Sequence, residues 1–281
     1  MLPFLLMASP NPVSDPLGCS IEGDYIYDYR LFDPRTFDPS LTASDTPLPM
    51  VLFLHGLGER QEKELNQFGT KNTAQIKSHV SGLIEKTQGN GTTSAEYPAF
   101  LLAPQNFGGN FRSHDVDQLI EKICQEYPID RSRIYVTGLS AGGRGTWHML
   151  GDSPHICAAG DPLSPARSSD SVSDIAASGV PVWAFHGDDD GTVGVGQTRS
   201  MISELLALGA TPRYTERPGW GHGGWNNIYS ETTNWTDGYA HVDPADTTLD
   251  LFNWLFAQQL HELVRLDPGD MILVDLSITS N

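Results

Sequence analysis

Lysine is scarce in this chain, with five among 281 residues. With arginine included, seventeen basic residues face thirty-five acidic ones, a formal net charge of −18. A surface this negative repels phosphate backbones, so nucleic acid is not an expected partner. Cysteine is almost as rare. Cys19, Cys124 and Cys157 form no C-x-x-C pair and no zinc-ligand spacing, and an odd count permits one disulfide at most. Cys124 falls on an apolar helical face and Cys157 in an apolar strand, so both read as buried free thiols. No apolar run approaches the roughly 18 residues of a spanning helix, so no membrane crossing is expected. Internal repeats of about 20–50 residues are also missing, which removes solenoids and propellers. The opening MLPFLLMASP is apolar but carries no basic residue. It reads equally as the remnant of a secretory signal or as an arbitrary start, and the expectation is a secreted or periplasmic protein.

What is present is an ordinary globular composition, 39% hydrophobic, in a length that an open α/β sheet fills as one domain. Residues 1–24 are taken as an N-terminal extension, 25–265 as a single α/β domain and 266–281 as a C-terminal tail. Strands are expected at Tyr25–Phe32, Met50–His55, Ala99–Pro104, Arg133–Thr137, Ile156–Gly160, Val182–His186 and Arg213–Arg217. Several are apolar throughout, as strands covered on both faces are. Helices are expected at Gln75–Thr87, Asp115–Glu126, Ala141–Leu150, Ser171–Ser178, Gly196–Gly209 and Thr248–Leu263. The Asp115 helix sets Val116, Leu119, Ile120, Ile123 and Cys124 on one stripe. Strand–helix alternation implies right-handed crossovers and a mostly parallel sheet with helices on both faces. Ligands on such sheets bind beyond the carboxyl ends of the strands, so the residues after each strand carry the functional information.

Four strand ends stand out. Arg133–Thr137 is followed by Gly138-Leu139-Ser140-Ala141-Gly142, a G-x-S-x-G between strand and helix. The motif alone is weak, and the strand–turn–helix context gives it weight as a nucleophile elbow. The first long strand runs into His55-Gly56-Leu57-Gly58. Two N–H donors are needed at a developing oxyanion; Ala141 is the candidate for one and Leu57 for the other. After Val182–Phe185 comes His186-Gly187-Asp188-Asp189-Asp190. Chemistry alone leaves three adjacent carboxylates open as the partner of a base; Asp190 is chosen, with Asp161 a distant fourth. After Arg213–Arg217 comes Pro218-Gly219-Trp220-Gly221-His222, and His222 is the candidate general base. The order Ser140, Asp190, His222 suits that role. His55 and His186 sit in His-Gly turns and read as loop braces, and His148 as helix packing.

Together these segments resemble the α/β-hydrolase serine esterases, and within them the group of feruloyl-esterase-like and polyhydroxyalkanoate-depolymerase-like enzymes and predicted peptidases. The likeness rests on VLFLHGLGER, FLLAPQN, DRSRIYVTGLSAGGRGTW, VPVWAFHGDDDGTV and RYTERPGWGHGGWNNIY, and runs over roughly residues 25–258. It implies an α/β-hydrolase fold and a serine carboxylic-ester hydrolase that uses an acyl-enzyme and no cofactor or metal. The family pattern HG-x-x-D-x-x-V falls on His186, Gly187, Asp190 and Val193, and the GHxxW-type segment on His222 and Trp225. Asn106 stands where relatives often carry Cys, and Gly223-Gly224 where Asn/Asp-Ser is usual. The tail with MILVDLSI lies outside the likeness.

About twenty residues separate Gly160 from Pro181, too few for a cap domain, so an open site is expected. Such a site suits aryl, short-chain or polymeric esters of feruloyl or polyester type. Trp220 and Trp225 flank His222 and are candidates for stacking on substrate, whereas Trp147 reads as core. The expected partner is an ester substrate bound by a monomer. A peptidase of the same fold and a non-catalytic polymer-binding module are the alternatives.

Overall fold

A computed structural model describes residues 27–36, 38–43, 46–59, 73–89, 92–106, 108–167, 171–230 and 250–260, together with short strand segments at 20–21, 24–25 and 239–241. The rest of the stretch 1–24, with Cys19, and all of 266–281 lie outside the described residues.

Strands β1 (Ser20–Ile21) and β2 (Asp24–Tyr25) pair with each other as a small antiparallel ribbon. The other strands form one eight-stranded sheet. They are β3 (Asp28–Phe32), β4 (Leu48–Leu54), β5 (Phe100–Gln105), β6 (Ile129–Leu139), β7 (Ala159–Leu163), β8 (Trp183–Gly187), β9 (Arg213–Arg217) and β10 (Tyr239–His241). Their spatial order is β10-β9-β8-β7-β6-β4-β5-β3. The two edge strands run antiparallel to their neighbours and the six between them are parallel. This is the α/β-hydrolase fold.

The sequence writes both faces of the sheet into single strands. In β4, Met50, Leu52 and Leu54 join one buried cluster while Val51 and Phe53 join the other, as a period of two requires. One face is covered by α2 (Ser113–Glu126), α3 (Ala141–Asp152), α4 (Val172–Ser178) and α5 (Gly196–Ala207). The other is covered by α1 (Thr73–Gln88), α6 (Trp225–Ser230) and α7 (Leu251–Phe256). The α2 stripe is buried at Val116, Leu119, Ile120 and Ile123, and Cys124 lies at its half-buried margin. At about 1.5–3 kcal/mol for each fully buried aliphatic or aromatic side chain, these two layers dominate the favourable side of folding.

Three expectations are corrected. The strand expected at Ile156–Gly160 lies at Ala159–Leu163, three residues later. Asp161 and Pro162 read as turn signals, yet both sit inside β7. The Asp161 carboxylate accepts a hydrogen bond from Thr137 on β6 (2.8 Å), and the β7–β8 ladder narrows to the pair Leu163–Phe185 and a bridge between Gly160 and Val182. A proline has no N–H to give to that side. Cys157 is therefore not in a strand; it precedes β7, buried, with its thiol pushed upward in pKa by burial. The helix expected at Thr248–Leu263 begins at Leu251, because Asp250 caps it by accepting from the Asn253 N–H (2.8 Å), and its regular turns end at Phe256.

Candidate active site

The parallel strands put the carboxyl ends of β4, β6, β8 and β9 along one rim. Leu54 pairs with Gly138, so the turn that begins at His55 lies beside the turn that carries Ser140. That second turn is tight. Ser140 has φ 56° and ψ −113°, a left-hand-side conformation that costs a non-glycine residue on the order of 1–3 kcal/mol. Its neighbours make the conformation possible. A Cβ on Gly142 would fall 1.9 Å from the Leu54 carbonyl oxygen, and one on Gly138 would fall 2.6 Å from the Gly142 backbone. The Ser140 N–H donates to Leu163 O (2.9 Å), which ties the turn to the end of β7. Ser140 ends as the residue before α3, with its side chain at the helix N-terminus and the Ala141 N–H among the first-turn donors that have no intrahelical acceptor.

The loops after β8 and β9 pack directly on each other. A Cβ on Gly187 would meet the Trp220 carbonyl at 2.1 Å, the Asp189 N–H donates to that carbonyl (3.0 Å), and the Gly219 N–H donates to Asp188 Oδ1 (2.6 Å). This contact brings positions 190 and 222 together. His222 Nδ1–H donates to Asp190 Oδ2 (2.7 Å), and Ser140 Oγ–H donates to His222 Nε2 (2.9 Å). Ser140, His222 and Asp190, chosen from the sequence, thus form one hydrogen-bonded chain. Asp188 and Asp189 are exposed and serve the loop, and Asp161 lies within β7, bound to Thr137.

Asp190 is buried and fully engaged. Its Oδ1 accepts from the Thr192 and Val193 N–H groups (2.9 and 2.8 Å), and its Oδ2 also lies 3.2 Å from His186 Nε2. Burial acts to raise its pKa, but the hydrogen bond from His222 and those from the two backbone N–H groups outweigh burial and hold the carboxyl below its usual range. His186 is a brace: Nε2–H donates to Val193 O (2.8 Å), Nδ1 accepts from Thr198 Oγ1 (2.7 Å), and burial lowers its pKa, so it stays neutral. His55 is a brace too. Its Nδ1–H donates to Gly56 O (2.7 Å) and its Nε2 accepts from the Asn106 N–H (2.9 Å). Leu57 opens the turn after β4 with an exposed side chain.

The tryptophans divide. Trp147 is fully buried core. Trp225 is 6% exposed, stands perpendicular to the His222 ring with centroids 5.1 Å apart, and donates its indole N–H to Ser164 Oγ (3.1 Å). It supports the imidazole from below and offers little surface to a ligand, which departs from its expected role in stacking on substrate. Trp220 is half-buried, with the Arg217 guanidinium 4.6 Å from its ring centroid. Sequence reasoning missed Ser164, whose φ of 42° marks a second strained turn at the end of β7, and Arg144, one helical turn beyond Ser140. No metal-binding group of three or more His, Cys, Asp or Glu occurs among the described residues.

Fold and rim together define an α/β-hydrolase-fold protein with a serine at its elbow. The resemblance to α/β-hydrolase esterases read from the sequence agrees with its structural neighbours. A thermostable esterase superposes with a TM-score of 0.61 at 30% identity, covering 82% of this chain and 59% of that one. A feruloyl esterase module from Clostridium thermocellum, solved with sinapinate, superposes with a TM-score of 0.52 at 18% identity over 73% of this chain and 81% of its own, which speaks to the fold alone. A bifunctional acetylxylan esterase/xylanase of Neocallimastix patriciarum is 25% identical over 170 residues, 60% of this chain and 23% of that protein. This chain therefore spans less than two thirds of the thermostable esterase and under a quarter of the fungal enzyme. No protein-family model matches it.

Proposed function

We propose that the protein hydrolyses carboxylic esters through a covalent acyl-enzyme on Ser140. The observation that carries this reading is the unbroken chain Ser140 Oγ, His222, Asp190 at the N-terminus of α3. Ser140 Oγ bonds to the acyl carbon as its proton passes to His222 Nε2. The tetrahedral intermediate collapses, His222 returns the proton to the departing alkoxide, and the alcohol leaves. Water then repeats the sequence and frees the acid. Asp190 holds the imidazole in the tautomer that accepts at Nε2 and stabilises its charged form. The N–H groups of Ala141 and Leu57 receive the oxyanion. The likeness to a thermostable esterase at 30% identity supports the reaction class.

Aryl, short-chain and polymeric esters are the proposed substrates, with Trp220 the aromatic at the rim. The reasoning is steric: residues 164–182 join β7 to β8 and already contain α4, which leaves no length for a separate lid. Ser140→Ala should lower kcat on 4-nitrophenyl acetate by at least about 10⁴-fold. A fluorophosphonate probe should label the native chain and not this variant. Near-native turnover by Ser140→Ala, or no labelling of the native chain, rejects the proposal. Turnover of a peptide amide at the ester rate would move the assignment to a peptidase.

A further inference from the structure

An open groove of about 560 Å³ lies between α3 and the segment that leads into α2, and the reaction above makes no use of it. Both walls continue active-site segments. Arg144 sits one turn into α3 with its N–H on the Ser140 carbonyl (3.1 Å), and Asn110–Arg112 follow Asn106, whose N–H holds His55. Along α3 the groove runs from Arg144 past His148 to Asp152, away from the elbow.

Its charges are unequally satisfied. At the far end Asp152 accepts from Ser113 Oγ (2.7 Å) with His148 Nδ1 4.0 Å away, and Asp117 accepts from Ser153 Oγ (2.6 Å). On the opposite wall Arg112 is paired with Asp115 (2.6 Å), and His114 is hydrogen-bonded to Gln118 (2.9 Å). Arg144 has no ion pair and no ring contact among the described residues, and its Nε is shut off from solvent without an acceptor. In a chain of net charge −18, a guanidinium with no carboxylate partner among the described residues, one helical turn along from the nucleophile, stands out. The two terminal Nη groups are not shut off in this way, and their planar edge matches the two oxygens of a carboxylate.

We propose that Arg144 makes this groove a carboxylate subsite, so that the substrate is an ester carrying an acid group on its acyl or its alcohol part. The inference rests on the ester-hydrolase reading. Two matched pairs test it. On the acyl side, the 4-nitrophenyl half-ester of glutaric acid is compared with its methyl-capped diester. On the alcohol side, 4-acetoxybenzoate is compared with its methyl ester. The native enzyme should prefer the anionic member of at least one pair by kcat/KM, and the pair that responds identifies the side. Arg144→Gln should cut that anionic-to-neutral ratio by about tenfold or more, the scale of a lost hydrogen bond to a charged group. Arg144→Lys should recover part of it, and added salt should lower the native ratio. An unchanged ratio in Arg144→Gln, or preference for the neutral member in both pairs, overturns the subsite and leaves the ester-hydrolase reading intact. Absence of any Ser140-dependent turnover overturns both.

Discussion

Position 190 uses each carboxylate oxygen differently. One oxygen closes the loop after β8 on the Thr192 and Val193 N–H groups, and the other receives His222. An amide at this position could still accept from the backbone, but with a single oxygen it could not also accept from His222 in any orientation, and it removes the charge that balances an imidazolium. Asp190→Asn should therefore cut kcat by about 10⁴-fold, whereas Asp188→Asn and Asp189→Asn, on exposed side chains, should leave it within a few-fold. Steady-state kinetics on one activated ester separate the three. The same geometry has a pH consequence. Because the folded state holds Asp190 below the ordinary carboxylate pKa, its contribution to stability is complete above the unfolded value near 4 and is lost as pH falls through the folded value.

Among the strands, β7 carries the opposite case. Asp161 is fully buried, its Oδ1 has no partner, and burial drives its pKa well above the carboxylate range against the hydrogen bond from Thr137. The folded state therefore holds the Asp161 proton to higher pH than the unfolded chain does. The unfolded chain then binds fewer protons, so stability falls as pH rises above about 4. Denaturant titrations between pH 5 and pH 8 should show this fall in the native chain and a flatter profile in Asp161→Asn; equal slopes would contradict the assignment. This element also shows what the sequence displays and what it hides. β9 and the start of α5 fall where turn residues and apolar periodicity put them, and Ser140 and His222 were legible because each follows a strand in a glycine-marked turn, whereas that turn left Asp190 level with Asp188 and Asp189 and the resemblance to the HG-x-x-D-x-x-V pattern supported it. β7 was displaced because Asp161 and Pro162 are poor strand residues in isolation, and only the neighbouring Thr137 makes the carboxylate tolerable. Helix α6 was missed altogether. Its six residues are too few for a helical period, and it exists because Trp225, Ile228 and Tyr229 insert into the layer formed with α1 and α7. The burial of Trp225 was hidden for the same reason: a Trp beside a candidate base looks alike in sequence whether it meets substrate or supports the ring.

At the scale of the molecule, charge governs what pairwise contacts do not. Six arginines, at 35, 112, 131, 133, 167 and 199, each sit against a carboxylate, so a good share of the scarce positive charge is spent locally. The excess of acidic over basic residues has no such partners, and folding gathers it onto a smaller surface than the open chain offers. Salt acts on both populations. Exposed ion pairs are worth about 0–1 kcal/mol each, so weakening six of them costs little. The net repulsion is long-ranged, and it is screened as the Debye length shrinks from roughly 20 Å at about 0.02 M NaCl to roughly 6 Å at about 0.3 M. The second effect should win, and Tm should rise over this range. Sodium chloride is the appropriate salt, because sulfate also strengthens apolar burial and would raise Tm for an unrelated reason. A fall in Tm with NaCl would mean that the local arginine–carboxylate pairs outweigh the surplus charge, and that the acidic surface is stabilised by its geometry instead of tolerated despite its repulsion.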